Sequence, residues 1–173
     1  MLTHALALIL PVTIMSPVPP SAGTFQPFRP GATAITYDTA VVPAGATAKV
    51  TITETGYGTE VRLAVTGLLA GHPYGAHLHT NPCTAVPEEA GPHYQNHPDP
   101  VTPSTNPVYA NPRNEIWLDF TADATGTATS AATHGWNFRP AAPPRSLVLH
   151  AEHTHTAPGE AGKAGARLAC LTL

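Results

Sequence analysis

The sequence predicts an all-β chain: a Greek-key β-sandwich or flattened barrel of immunoglobulin-like type, with about eight strands and two long functional loops. Three observations carry this. Apolar and polar residues alternate in consecutive short runs, as in Lys49-Val50-Thr51-Ile52-Thr53 and Glu60-Val61-Arg62-Leu63-Ala64-Val65. Side chains two apart on a strand share a face, so each run has one side to bury. Twenty prolines and 14 glycines disfavour long helices and suit strands joined by turns. At 173 residues, one domain with a real core is expected.

Taken in order, the chain opens on an apolar run, residues 5–15, followed by Pro- and Ser-rich sequence and Ser21-Ala22-Gly23. This resembles a secretory signal peptide, although only the amino terminus and His4 supply positive charge before the run. The run is short for a membrane span, and no cysteine lies near it for a lipid anchor. The expected organisation is a signal segment at 1–22, a linker at 23–33 and one domain at 34–173. The expected location is secreted or extracytoplasmic, with no transmembrane span in the mature chain.

Strands are expected at 34–37, 49–53 and 60–65, with turns at Ala44-Gly45 and Gly56-Tyr57-Gly58. Gly75-Ala76-His77-Leu78-His79 continues the pattern. Periodicity then stops from Asn81 to Asn114, a length of loop that is usually functional or disordered. It returns at 116–122, turns at Asp123-Ala124-Thr125-Gly126, and continues at 127–131. Ser146-Leu147-Val148-Leu149-His150 and Arg167-Leu168-Ala169-Cys170-Leu171-Thr172-Leu173 complete the set, separated by a polar loop.

Charged residues make up 11 % of the chain, the net charge is −3, and there is no basic block. Nucleic acid is therefore excluded as a partner. Ten histidines exceed eight Lys plus Arg, which fits either metal handling or a histidine-rich surface. The two cysteines, Cys83 and Cys170, are two core thiols or one disulfide closing a long loop; export favours the disulfide. On a strand, His77 and His79 place two imidazoles on one face while Leu78 points into the core. Neutral imidazoles on a rigid strand suit a transition metal. His93 and His150 are candidates to join them.

In family order, these pieces resemble the copper/zinc superoxide dismutase family. Gly75-Ala76-His77-Leu78-His79 is similar to the strand with two copper ligands, and Cys83 follows where the first disulfide cysteine does. His93-Tyr94-Gln95-Asn96 resembles the segment of the metal-bridging histidine. Leu147-Val148-Leu149-His150 resembles the strand with the last copper ligand. Gly162 to Cys170 resembles the closing segment with the active-site arginine and second cysteine. The resemblance implies copper on His77, His79, His93 and His150, a Cys83–Cys170 disulfide, and Arg167 beside the copper to attract and orient an anion. It implies superoxide as substrate, with His93 supplying a proton.

The zinc half does not carry over. Only His97 lies where two further zinc histidines are expected, and Asp99, Glu115 and Asp119 are the available carboxylates. A closed zinc site takes four ligands. This departure resembles the copper-only branch, in which a carboxylate orients the would-be bridging histidine; Glu115 is the candidate here. A rebuilt zinc site on His97 with Asp99 or Glu115 is the lesser alternative. His97, His134, His153 and His155 read as solvated, and His72 as a turn residue. The competing function is a non-catalytic copper-binding or buffering module on the same fold. Nothing in the sequence assigns an oligomeric state.

Overall fold

The computed structural model describes residues 19–173, so residues 1–18, which hold most of the expected signal segment, lie outside the described part. Alternation builds the first sheet. Strands β3 (Thr47–Thr55) and β4 (Gly58–Thr66) form a nine-pair antiparallel ladder running from Thr47 opposite Thr66 to Thr55 opposite Gly58. In β4, Val61, Leu63 and Val65 are buried while Arg62, Ala64 and Thr66 are exposed. A one-residue slip would turn that whole set outward, so burial fixes the register. β7 (Ala128–His134) flanks β4, and β1 (Ser21–Thr24) flanks β3, giving the order β1-β3-β4-β7.

The second sheet has the order β2-β9-β8-β5-β6, with β2 (Ala34–Thr36), β9 (Arg167–Thr172), β8 (Ser146–His150), β5 (Pro73–His79) and β6 (Phe120–Thr121). Every named strand pair is antiparallel. The two sheets remain separate and form a sandwich, not a closed barrel. Between them, Val50, Val61, Leu63 and Val65 meet Ala76, Leu78, Leu147, Leu149 and Leu171 in one core. Removing each such Val or Leu side chain from water contributes about 1.5–3 kcal/mol.

Two departures from the expected elements have physical causes. Nine strands occur among the described residues, because 21–24, read as signal end and linker, pairs Ser21–Thr24 with Val50–Thr47. Phe25, next in the chain, is wholly buried in the core. These residues lack alternation because β1 is a short edge strand whose gain comes from backbone pairing and one aromatic anchor. The expected strand at 116–122 is reduced to Phe120–Thr121; Trp117 makes only an isolated bridge to His77. A single short 3-10 helix, Pro87–Ala90, interrupts the 81–114 loop. Among the described residues no helix is long and apolar enough to cross a membrane.

Candidate metal centre

The outer face of the second sheet carries the site. In the β5–β8 ladder Gly75 lies opposite His150 and His77 opposite Val148, and directly paired residues share a face. His150 therefore stands on the same side as His77 and His79, while Ala76, Leu78, Leu147 and Leu149 fill the core. At the β8–β9 ladder the register shifts between Leu149 and His150, so that His150 is paired with Arg167. Such an irregularity re-aims a side chain, here bringing Arg167 to the histidine face.

The loop folds back along β5 through isolated bridges, His79 with His93, Gln95 with Glu115, and Trp117 with His77. These six residues alternate along the loop strands and lie on one side. The intervening Tyr94 and Leu118 donate their N–H to the carbonyls of Leu78 and Ala76 at 2.8 Å and are buried in the core. His77, His79, His93 and His150 thus converge, with one ligand atom from each and all four atoms within 4.8 Å of one another. Among the described residues this is the one group of histidine, cysteine or carboxylate ligands so gathered.

In His79 and His93 one ring nitrogen is bonded to the surroundings and the other is left for the cluster, while His150 Nδ1 is buried without a partner. His79 Nδ1–H donates to the Gly91 carbonyl at 2.9 Å, leaving Nε2, which lies 3.3 Å from His150 Nε2. His93 Nδ1–H donates to Glu115 Oε2 at 2.8 Å, again leaving Nε2. His77 Nε2 lies 2.6 Å from Thr154 Oγ1, and its buried Nδ1 has no hydrogen-bond partner. Burial, followed by the neighbouring histidines and Arg167, pushes His77 and His79 well below the usual histidine range. Burial, then His93 and Arg167, pushes His150 down to about 3. These three imidazoles are neutral at ordinary pH, the form that ligates a metal. Four imidazole nitrogens gathered this closely are a donor set that a single transition-metal ion could take. An orphaned buried nitrogen and four imidazole donors fit copper.

Glu115 is 1 % exposed and accepts three hydrogen bonds: from His93, from Trp117 Nε1 at 2.6 Å and from Gln95 Nε2 at 2.7 Å. Arg167 donates through Nη1 to the Pro87 carbonyl at 2.8 Å and through Nη2 to the Gly91 carbonyl at 2.7 Å. It lines an open pocket of about 230 Å³ together with His93, Thr80, Gln95, Ser104 and Lys163. Cys83 and Cys170 form a disulfide across a sequence separation of 87, tying the 80–92 loop to β9.

His97 does not join the cluster; it is exposed and lines a separate surface hollow with Tyr109 and Arg113. Asp99 is engaged by the Val101 N–H and the Ser104 hydroxyl. His134, expected in solvent, is buried at the end of β7 and packs at a tilt against Trp136, with ring centroids 4.5 Å apart. Gln95, Trp117, Gly91 and Thr154 were not singled out from the sequence. Trp117 carried a signal, since it is two residues from Glu115 in an extended stretch and so shares its face. Thr154 carried none, because only the closure of its loop brings it to His77.

The family model described as copper/zinc superoxide dismutase matches residues 46–172. Among solved structures, copper/zinc superoxide dismutase from Brucella abortus is similar, with 23 % identity, a TM-score of 0.53, and 72 % of this chain and 86 % of that chain covered. A double mutant of a SOD-like protein from Bacillus subtilis is 18 % identical, with a TM-score of 0.54 and coverage of 72 % and 87 %. These structural likenesses show the shared sandwich. No curated protein sequence matches the chain.

Proposed function

The chain belongs to the copper/zinc superoxide dismutase family, and from that premise we propose that it is an exported, copper-only dismutase that converts two superoxide ions and two protons into dioxygen and hydrogen peroxide. The carrying observation is the gathering of His77, His79, His93 and His150, with His77 Nδ1 buried and unpartnered. Those four residues would hold copper, and bound copper would supply the one-electron oxidation and reduction that alternate between successive superoxide ions. Arg167 draws the anion into the pocket and orients it, its guanidinium held by loop carbonyls. With its Nδ1–H donated to Glu115, His93 keeps a lone pair at Nε2, and that nitrogen would take up a proton and pass it on whenever it is not held by copper. Its side chain is 15 % exposed, giving that proton a route to solvent.

Zinc is dispensable in this reading. Glu115 satisfies the His93 nitrogen that a second metal would take, and His97 stands apart. The disulfide supports an oxidising, extracytoplasmic location. One gathered histidine cluster among the described residues favours a single catalytic copper over a multi-copper buffer. The deciding experiment is superoxide consumption by the protein loaded with one copper and no zinc. Rapid turnover is expected. Firmly bound copper without turnover, restored by zinc, would overturn the copper-only reading; no turnover with either metal would favour a binding module.

A further inference from the structure

Two of the four clustered histidines have obvious means of choosing which ring nitrogen carries the proton. His79 faces a carbonyl, which can only accept, and His93 faces a carboxylate. His77 faces a hydroxyl, which can donate or accept. The geometry around that hydroxyl removes the ambiguity. Thr154 Oγ1 lies 2.8 Å from Asp119 Oδ1, and the Thr154 N–H donates to Asp119 Oδ2 at 2.7 Å. Asp119 Oδ1 also accepts the Ala76 N–H at 3.2 Å. A carboxylate receiving two backbone N–H groups takes the hydroxyl proton as well, since it has no proton to offer in return. The hydroxyl is then left with lone pairs only toward His77, and Nε2 must donate. The direct separation of His77 Nε2 from Asp119 Oδ1, 3.6 Å, is too long for a hydrogen bond. The opposite arrangement would place an N–H at His77 Nδ1, buried with no acceptor.

We propose that Thr154 is a positioning residue for His77: its hydroxyl relays the polarity of Asp119, fixes the Nε2–H tautomer and aims the Nδ1 lone pair into the cluster. This inference rests on the copper reading above only for its consequence, the tighter holding of copper; the tautomer stands on geometry alone. The loop that bears Thr154 is held for the task. Ala151 and Glu152 donate to the carbonyls of Ala166 and Ala164, and His155 to that of Lys163. His153 Nε2–H donates to the Phe120 carbonyl at 3.0 Å. Gly75 lets the loop lie this close to β5, since a Cβ there would come within 2.6 Å of the Glu152 carbonyl oxygen and 2.7 Å of Ala164 Cβ. Partners of metal-ligating histidines set tautomer and ring orientation, and their loss costs about 10–100-fold in metal affinity.

The test uses wild type, Thr154→Val, which keeps the volume and removes the hydroxyl, and Thr154→Ser, which keeps the hydroxyl. Long-range ¹⁵N–¹H correlation spectra of the metal-free, disulfide-intact protein report each histidine tautomer. His77 is expected as Nε2–H in wild type and Thr154→Ser, with that preference lost in Thr154→Val. Competition with a copper chelator should show affinity about 10–100-fold weaker for Thr154→Val, with an altered Cu(II) electron paramagnetic resonance spectrum. Thr154→Ser should restore both. An Nδ1–H tautomer in wild type would overturn the proposal without needing any variant to fold. So would a Thr154→Val protein with unchanged affinity and spectrum, or a Thr154→Ser protein impaired equally, which would make the role one of packing. Absence of tight copper binding in wild type, with His77 still Nε2–H and switching in Thr154→Val, would overturn the copper reading while bearing out the relay.

Discussion

Replacing Glu115 with Gln keeps the side-chain volume and removes one acceptor oxygen from a buried point where three donors meet. If the new amide oxygen takes the Oε2 position, His93 Nδ1–H and Trp117 Nε1–H are satisfied, but the amide NH₂ faces Gln95 Nε2. Gln95 cannot turn over without cost, because its Oε1 accepts the Asp99 N–H at 2.7 Å. The other orientation leaves two N–H groups facing an NH₂. At least one donor is stranded in either case, costing about 1–3 kcal/mol, and the surviving bonds each lose about 1 kcal/mol of charge assistance. Relief of the buried charge offsets part of this, giving a net loss of about 2–4 kcal/mol. At about 2–4 °C per kcal/mol for a domain of this size, Tm falls by about 5–15 °C. Copper affinity falls about 10–100-fold as His93 loses its orientation. Thermal unfolding of the metal-free protein and chelator competition measure the two effects. A Tm within about 2 °C of wild type, with affinity also unchanged, would refute the assignment of Glu115 as the orienting acceptor.

Other changes separate the parts of the site. Arg167→Ala should retain copper, lower kcat/KM by about tenfold or more, and flatten its dependence on ionic strength; stopped-flow assays across a salt series check this, and loss of copper would instead assign Arg167 a structural role. Removing both Cys83 and Cys170 opens a closure spanning 87 residues, which chain entropy values at about 4–5 kcal/mol. Tm should then fall by about 10–20 °C, and an unchanged melting curve would contradict it. Leu78→Ala, on the core side of the His-x-His strand, should cost about 2–5 kcal/mol in denaturant unfolding. Tyr57→Ala, at the 95 % exposed tip of the β3–β4 turn, should stay within about 0.5 kcal/mol; equal effects would argue against the assigned strand faces.

The reach of the sequence differs between these parts for physical reasons. His77 and His79 were legible because a strand's period of two is a local rule, and Leu78 between them confirmed the burial side. Glu115 was legible only through likeness to a family, since its contact with His93 spans 22 residues. Strand β1 was hidden because its gain comes from pairing with Thr47–Val50, not from its own side chains. The stretch 116–122 read as a full strand, but Glu115 and Trp117 are given to the site, leaving Phe120–Thr121 to the ladder. Thr154 sat between two histidines that drew the eye and themselves stand apart from the cluster. Its role depends on a glycine 79 positions earlier in the chain, Gly75, which a local reading cannot connect to it.

One backbone oxygen, that of Gly91, receives both His79 Nδ1–H and Arg167 Nη2–H, and its loop is joined to β9 by Cys83–Cys170. The loop's closed form is therefore a shared requirement of an imidazole, a guanidinium and two sulfurs. Thermodynamic reciprocity follows: whatever factor the disulfide adds to the affinity of the cluster for an ion, the bound ion returns as resistance of that disulfide to reductant. An unoccupied chain meeting a thiol buffer and an occupied one would not age alike. The occupied chain would keep its cystine to a more reducing poise, so a reductant titration at equilibrium could count filled sites without any reference to turnover.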